Sequence, residues 1–226
     1  MAETVKGRLY KIREEINAAC KRAGRDPSSV KILGASKFQP IAVMLEAYEA
    51  GLRCFGENRA QELIEKREKL PPDIEWHFIG TLQRRKVSKI VPFVSCIHSL
   101  DSRELAVEIN KVALETKKRV NCLIEINIDK EESKGGIDPE ALGPFLEFVR
   151  SFNGIQVQGL MSIPAPMNPG RDSFRKLKLL SGLVKEKLDI SHIELSMGMS
   201  HDFIEAVEEG STIVRIGEAL FGPRKR

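Results

Sequence analysis

The sequence predicts an α/β chain folded as a (β/α)8 TIM barrel with an additional N-terminal helix. Three observations carry that expectation. Eight short apolar runs alternate with longer segments whose apolar residues recur every three or four positions, the pattern of parallel strands joined by crossover helices. Nearly all of the 226 residues are used in making these units, with no linker or low-complexity stretch, so residues 1–226 read as one domain. No G-x-G-x-x-G opens a helix, and the competing doubly wound sheet usually has fewer strands.

The elements follow in order. MAETVKGRLYKIREEINAACKRAG (1–24) is an amphipathic helix pattern mixing acids and bases. It lacks the apolar core and cleavage site of a secretion signal, so the expected location is the cytoplasm. VKILGAS (30–36) is the first strand; Pro40 then opens a helix through PIAVMLEAYEAG. RCFGE (53–57), EWHFIG (75–80) and SCIHSL (95–100) are strands two to four. In the helix that follows, Asp101 or Ser102 can cap and acids crowd the first turn. VNCLIEINI (120–128), IQVQGLMSI (155–163), SHIELSM (191–197) and STIVRIG (211–217) complete the set.

Composition excludes several classes. The hydrophobic fraction is 42% and the charged fraction 30%, as in ordinary globular chains. No apolar run reaches spanning length, so no membrane partner is expected. The net charge of +4 is mild, and the basic clusters QRRKVSK (83–89) and PRKR lack interleaved aromatics, which argues against nucleic acid. Cys20, Cys54, Cys96 and Cys122 form no C-x-x-C pair and have no histidine at ligand spacing. They read as buried free thiols, with no metal site.

Active sites of such barrels form at the C-terminal strand ends. Strand one ends at Ser36-Lys37, strand two at Glu57-Asn58, strand four at His98-Ser99, strand five at Asn127 and strand six at Met161-Ser162. The turns after strands seven and eight suit a phosphate: Ser196 offers a hydroxyl, Gly198 and Gly217 admit close approach, and GEAL starts a helix. Barrel closure pairs strand eight with strand one, so Arg215 is expected beside Lys37. Like charge and burial would then depress the lysine and favour imine formation. A Schiff-base lysine, a phosphate site and a partner for a ring nitrogen are what pyridoxal 5′-phosphate (PLP) requires. Three other readings stay open: a surface Lys37, an Arg215 paired with Glu194, and a barrel for some other phosphate.

The segments SKFQP, FGENRAQEL, EWHFIGTLQRRK, HSLDS, EESKGG, GLMSIP and ELSMGMSHDFIEAVEEGSTIVRIGEALFG resemble the pyridoxal phosphate homeostasis protein family from about residue 30 to 224. That family is a small relative of the alanine racemase N-terminal barrel. The resemblance implies PLP held as a Schiff base on Lys37, with phosphate contacts from Ser196 and the backbone of Gly217 and Glu218. It implies Arg215 facing the pyridine nitrogen, with Asn58 and Met161 lining the site. Two positions depart from the family pattern: Arg85 stands where asparagine is expected, and Phe38 where a small or polar residue is common.

The expected function is binding, buffering and delivery of PLP with little or no amino-acid turnover, by a monomer serving apo PLP-dependent enzymes. A racemase needs acid/base groups on both faces of the α-carbon. Here the tyrosines are Tyr10 and Tyr48, neither at a strand end, and the chain stops after the eighth unit. The alternative is a PLP-dependent racemase or lyase whose second base comes from a subunit contact. A Schiff-base aldolase for a sugar phosphate would have no use for Arg215. His77 and His98 read as hydrogen-bonded barrel histidines, and His201 as a helix cap or a phosphate neighbour. Lys134 with Glu131 and Glu132 reads as a solvated loop, which the resemblance would make a lid or second PLP contact.

Overall fold

A computed structural model describes residues 3–131, 135–164 and 171–223. Eight parallel strands follow one another around a closed barrel, with β8 returning to pair with β1. They are β1 Lys31–Ala35, β2 Cys54–Glu57, β3 Glu75–Phe78, β4 Cys96–Leu100, β5 Val120–Glu125, β6 Ile155–Met161, β7 Glu194–Met199 and β8 Ile213–Ile216. Seven lie within the runs expected from sequence. β7 starts later than its run, Ser191 and His192 being exposed in the turn before it, and continues to Met199.

The helices are α1 Val5–Arg22, α2 Ile41–Glu49, α3 Ala60–Lys69, α4 Val87–Ile90, α5 Arg103–Glu115, α6 Leu142–Val149, α7 Arg171–Leu188, α8 Phe203–Glu208 and α9 Glu218–Phe221. Thr4 caps α1 by accepting the Gly7 amide, and Ser102 rather than Asp101 caps α5 by accepting from Leu105. None of the described helices is long and apolar enough to cross a membrane.

Strand residues alternate between two packing layers. Outward side chains such as Phe55, Trp76, Phe78 and Ile97 meet the helices in the main core, where each large apolar group contributes about 1.5–3 kcal/mol. Inward, Leu33, Cys54, Ile79, Cys96, Leu123, Met161 and Ile213 form a smaller cluster. The interior also holds the polar side chains of His77, His98, Ser196 and Arg215, all buried. Between β6 and β7, Gly159 faces Glu194, and a Cβ there would run into the Glu194 backbone.

Helix α1 packs on α2, α8 and α9. Arg22 pairs with Glu208 at 2.6 Å, and Arg8 donates to the Leu220 carbonyl at 2.6 Å. With the N-terminal strand ends, α1 encloses a cavity of about 350 Å³ lined by Arg13, Lys31, Arg53, Cys54 and Glu75, among others. All four cysteines are free and buried, as expected.

Candidate functional site

Lys37 sits at the corner of a turn just past β1, closed by the Gln39 amide donating to the Ser36 carbonyl at 2.9 Å. The second corner, Phe38, has φ +63°, a left-handed conformation rare for a bulky side chain. Buried polar groups hold this turn from beneath. Lys66 Nζ donates to the Ser36 carbonyl at 2.7 Å and to Glu57 Oε1 at 2.6 Å. Ser36 Oγ donates to the same carboxylate oxygen at 2.7 Å, and Glu62 accepts the Phe38 amide at 3.0 Å. Both backbone neighbours of Lys37 are therefore fixed, while Lys37 itself is half-buried with its amine 5.0 Å from the Phe38 ring centre. Sequence reasoning placed Glu57 at a strand end but missed its partner Lys66, which reads as one more charge on a helix.

Arg215 lies lower than expected. Its register partner on β1 is Leu33, four residues before Lys37, roughly 13 Å of extended chain. The buried guanidinium reaches across the interior instead, Nη1 donating to Ser196 O at 2.6 Å and Oγ at 2.7 Å, and Nη2 to Ser162 O at 2.8 Å. Burial lowers it to about 10, with Glu125 and Asp202 opposing, so it stays charged at neutral pH. Glu194 is bound to Thr212 and His192. Arg215 thus makes the floor of the C-terminal mouth, and Lys37 stands on its rim.

Ser196 lies within β7, below the turn that follows it. It is fully buried, its hydroxyl shared between Arg215 and His98 Nδ1 at 3.0 Å. The register shifts between Ser196 and Met199, and Gly198 turns the chain at φ +90°. It is Ser200 that reaches the turn after β8, where its Oγ accepts the amides of Gly217 at 3.3 Å and Ala219 at 3.1 Å. Strand parity could not separate the two serines, since 196 and 200 share a face. Nearby, the exposed side chains of His201 and Glu218 stand 3.8 Å apart at the rim.

The remaining expected residues spread around the mouth. Met161 is in the interior cluster. Asn58, half-buried, lines a cavity of about 220 Å³ with Phe78, Thr81, Gln83 and Lys86. Arg85 is exposed and bonds its Nε to Gln83 at 3.2 Å, so it places no charge in that cavity. Phe38 is exposed, with Arg59 4.9 Å from its ring centre. Tyr48 donates to Asp73 at 2.7 Å from α2, and Tyr10 is exposed on α1. Lys134 and Glu132 lie outside the described residues. Buried and without a hydrogen-bond partner is Ser162 Oγ, beside Arg215.

Glu125, at the end of β5, is raised to about 7 by burial and then by Asp101, with Arg215 opposing. Its folded pKa exceeds the ordinary value, so the folded chain binds the extra proton and stability falls as pH rises from 4.5 to 7. Replacing Glu125 by glutamine is therefore expected to stabilise the fold by about 2–3 kcal/mol at pH 8 and by little near pH 4. Urea unfolding of the two proteins at both pH values checks this; an equal gain at both would refute it.

The structure also gathers donors that spacing did not reveal. His77, Cys96 and His98, and likewise Cys54, Glu75 and His77, place their ligand atoms within 4.8 Å of one another. The adjacency arises from strand register, His77 pairing with Cys96 across β3 and β4.

Residues 9–225 match the family of the alanine racemase N-terminal domain. The chain is 47% identical over 222 residues to the pyridoxal phosphate homeostasis protein of Aquifex aeolicus, covering 96% of this chain and 97% of that one. To its Haemophilus influenzae counterpart the identity is 39% over 223 residues, covering 96% and 94%. Among solved structures, PipY of Synechococcus elongatus with PLP bound superposes with a TM-score of 0.84 at 34% identity, over 97% of this chain and 100% of that one.

Proposed function

The chain belongs to the pyridoxal phosphate homeostasis protein family, and we propose that it binds PLP covalently at Lys37, buffering the cofactor and delivering it to apo-enzymes. In this reading it acts as one barrel domain and as a monomer, with little or no amino-acid turnover. The observation that carries it is the braced Lys37 turn standing over Arg215 at the mouth where the Gly217 and Ala219 amides converge.

The residues suit the cofactor. Ser200 and the backbone around Gly217 and Glu218 offer hydrogen bonds to a phosphate, in the role first assigned to Ser196. Arg215 can donate to a pyridine nitrogen but cannot take up its proton, and its partners are carbonyl and hydroxyl oxygens. Bound PLP supplies an electron-withdrawing ring, here a weak one because its nitrogen remains unprotonated. Asn58 and Met161 flank the mouth. Neither tyrosine is placed to serve as a base there, Tyr48 being tied to Asp73 and Tyr10 lying on α1.

A second reading, a PLP-dependent racemase or lyase, is favoured by Glu125, a half-buried carboxyl raised to about 7 at the same mouth. The two are separated by one preparation. Purified protein incubated with PLP is reduced with borohydride and digested, and the modified peptide is mapped by mass spectrometry. Pyridoxyl phosphate on Lys37, lost in Lys37→Ala, is expected, together with transfer of PLP to an apo-enzyme and no turnover of alanine or serine. Absence of uptake, or labelling at another lysine, sinks the binding reading. Turnover that disappears in Glu125→Gln replaces the carrier with the enzyme.

A further inference from the structure

The buried polar groups of the barrel interior are linked from one mouth to the other. At the N-terminal mouth Lys31 Nζ donates to Glu75 Oε1 at 2.8 Å, and the same oxygen lies 2.9 Å from His77 Nε2. His77 Nδ1 is 2.7 Å from His98 Nε2. His98 Nδ1 is 3.0 Å from Ser196 Oγ, which receives Arg215 Nη1 at 2.7 Å. Five strands contribute: β1, β3, β4, β7 and β8.

The two ends set the direction of every link. An arginine only donates, so Ser196 Oγ accepts there and spends its own hydrogen on His98 Nδ1. His98 then carries its proton on Nε2 and gives it to His77 Nδ1. His77 in turn donates from Nε2 to Glu75. That carboxylate is held to about 2, first by the His77 hydrogen bond and then by Lys31, against its burial. Burial, reinforced by the positive charges of Arg215 and Lys31, keeps His98 well below the ordinary imidazole value. The opposite order would need a doubly protonated His77 and would leave the Ser196 hydrogen without an acceptor among the described residues. Both facing histidine nitrogens are consumed by each other, so the His77, Cys96, His98 group is a hydrogen-bonded unit and not a metal centre.

We propose that Glu75, His77, His98 and Ser196 are positioning residues, a directed hydrogen-bond chain that orients the Arg215 guanidinium from the opposite end of the barrel. The consequence for PLP rests on the function proposed above; the chain itself does not.

The test begins on cofactor-free protein labelled with ¹⁵N-histidine. In their neutral forms both buried histidines are expected to carry the proton on Nε2, with the signals assigned by Ser196→Ala and His77→Gln. Ser196→Ala removes the donor to His98 and one of the three acceptors of Arg215, leaving the Ser196 and Ser162 carbonyls. It should convert the His98 signal to mixed tautomers and release bound PLP roughly tenfold faster, while Ser196→Thr keeps the wild-type pattern. An Nδ1–H tautomer at His98 in the wild type, needing no variant, overturns the proposal. So does a zinc titration that shifts both histidines at one equivalent, or a Ser196→Ala protein unchanged in tautomers and release. If the tautomers are as expected and no PLP binds, the chain stands and the proposed function falls.

Discussion

Replacing Lys66 by methionine is expected to cost about 3–5 kcal/mol, because it strands a carboxylate that folding has sealed away. Glu57 has no exposed surface and Lys66 only 7%. Of the two Glu57 oxygens, Oε1 is shared by Lys66 and Ser36, while Oε2 has no partner. Burial already raises Glu57 above the ordinary carboxyl value, and Lys66 is the chief opposing influence. Without the ammonium Glu57 takes up a proton, so the deficit should shrink as pH falls. The double variant Glu57→Leu with Lys66→Met should recover most of the loss, since an apolar pair leaves nothing unpaired. The damage should also reach Lys37, whose turn loses the ammonium on the Ser36 carbonyl and the neighbour of Glu62. Urea unfolding measures the first effect, and the rate of PLP capture measures the second. A loss under about 1 kcal/mol would mean that the cluster is solvated in solution.

Gly159→Ala is the second large effect, and its origin is purely steric. The new methyl would overlap the Glu194 carbonyl oxygen and lie 2.7 Å from its carbon and 2.8 Å from the Glu194 nitrogen. All three atoms are backbone, so no rotamer change relieves the contact. An open sheet could splay at one edge; a barrel closed by the β1–β8 pairing has no free edge to move. The expected cost is about 3 kcal/mol or more, with reduced soluble yield. Gly182→Ala is the matched control: it lies in α7 with nothing within 4 Å of the new methyl, and alanine there should stabilise by about 0.5–1 kcal/mol. If the two substitutions behave alike, the clash is not limiting.

The strands were legible because both faces of a barrel strand are covered, which makes each one a short apolar run. Helix starts at Pro40 and Ser102 were legible from local chemistry. What the sequence does not carry is depth. Lys37 follows β1, which pairs with the β8 strand of Arg215, yet the stagger that closes a barrel sets Arg215 against Leu33. Ser196 and Ser200 have the same parity, and only the register shift and the turn at Gly198 send one inward and the other to the rim. Lys66 reads as one more cation on a charged helix; its burial exists only once α3 lies against β2. The histidines were readable as barrel residues, but their partnership across β3 and β4 is a product of register alone.

The buried thiols give the chain a built-in record of how it comes apart. Cys20 is on the buried face of α1, Cys54 and Cys96 line the barrel interior, and Cys122 sits on β5 against the helical layer. Burial raises all four, Cys96 well above the ordinary thiol range, so an alkylating reagent reacts only with molecules that have opened locally. Mass spectrometry of partly alkylated protein therefore ranks the openings. Cys20 ahead of the others means that α1 peels away from an intact barrel, and four equal rates mean that helix and barrel unfold as one cooperative unit.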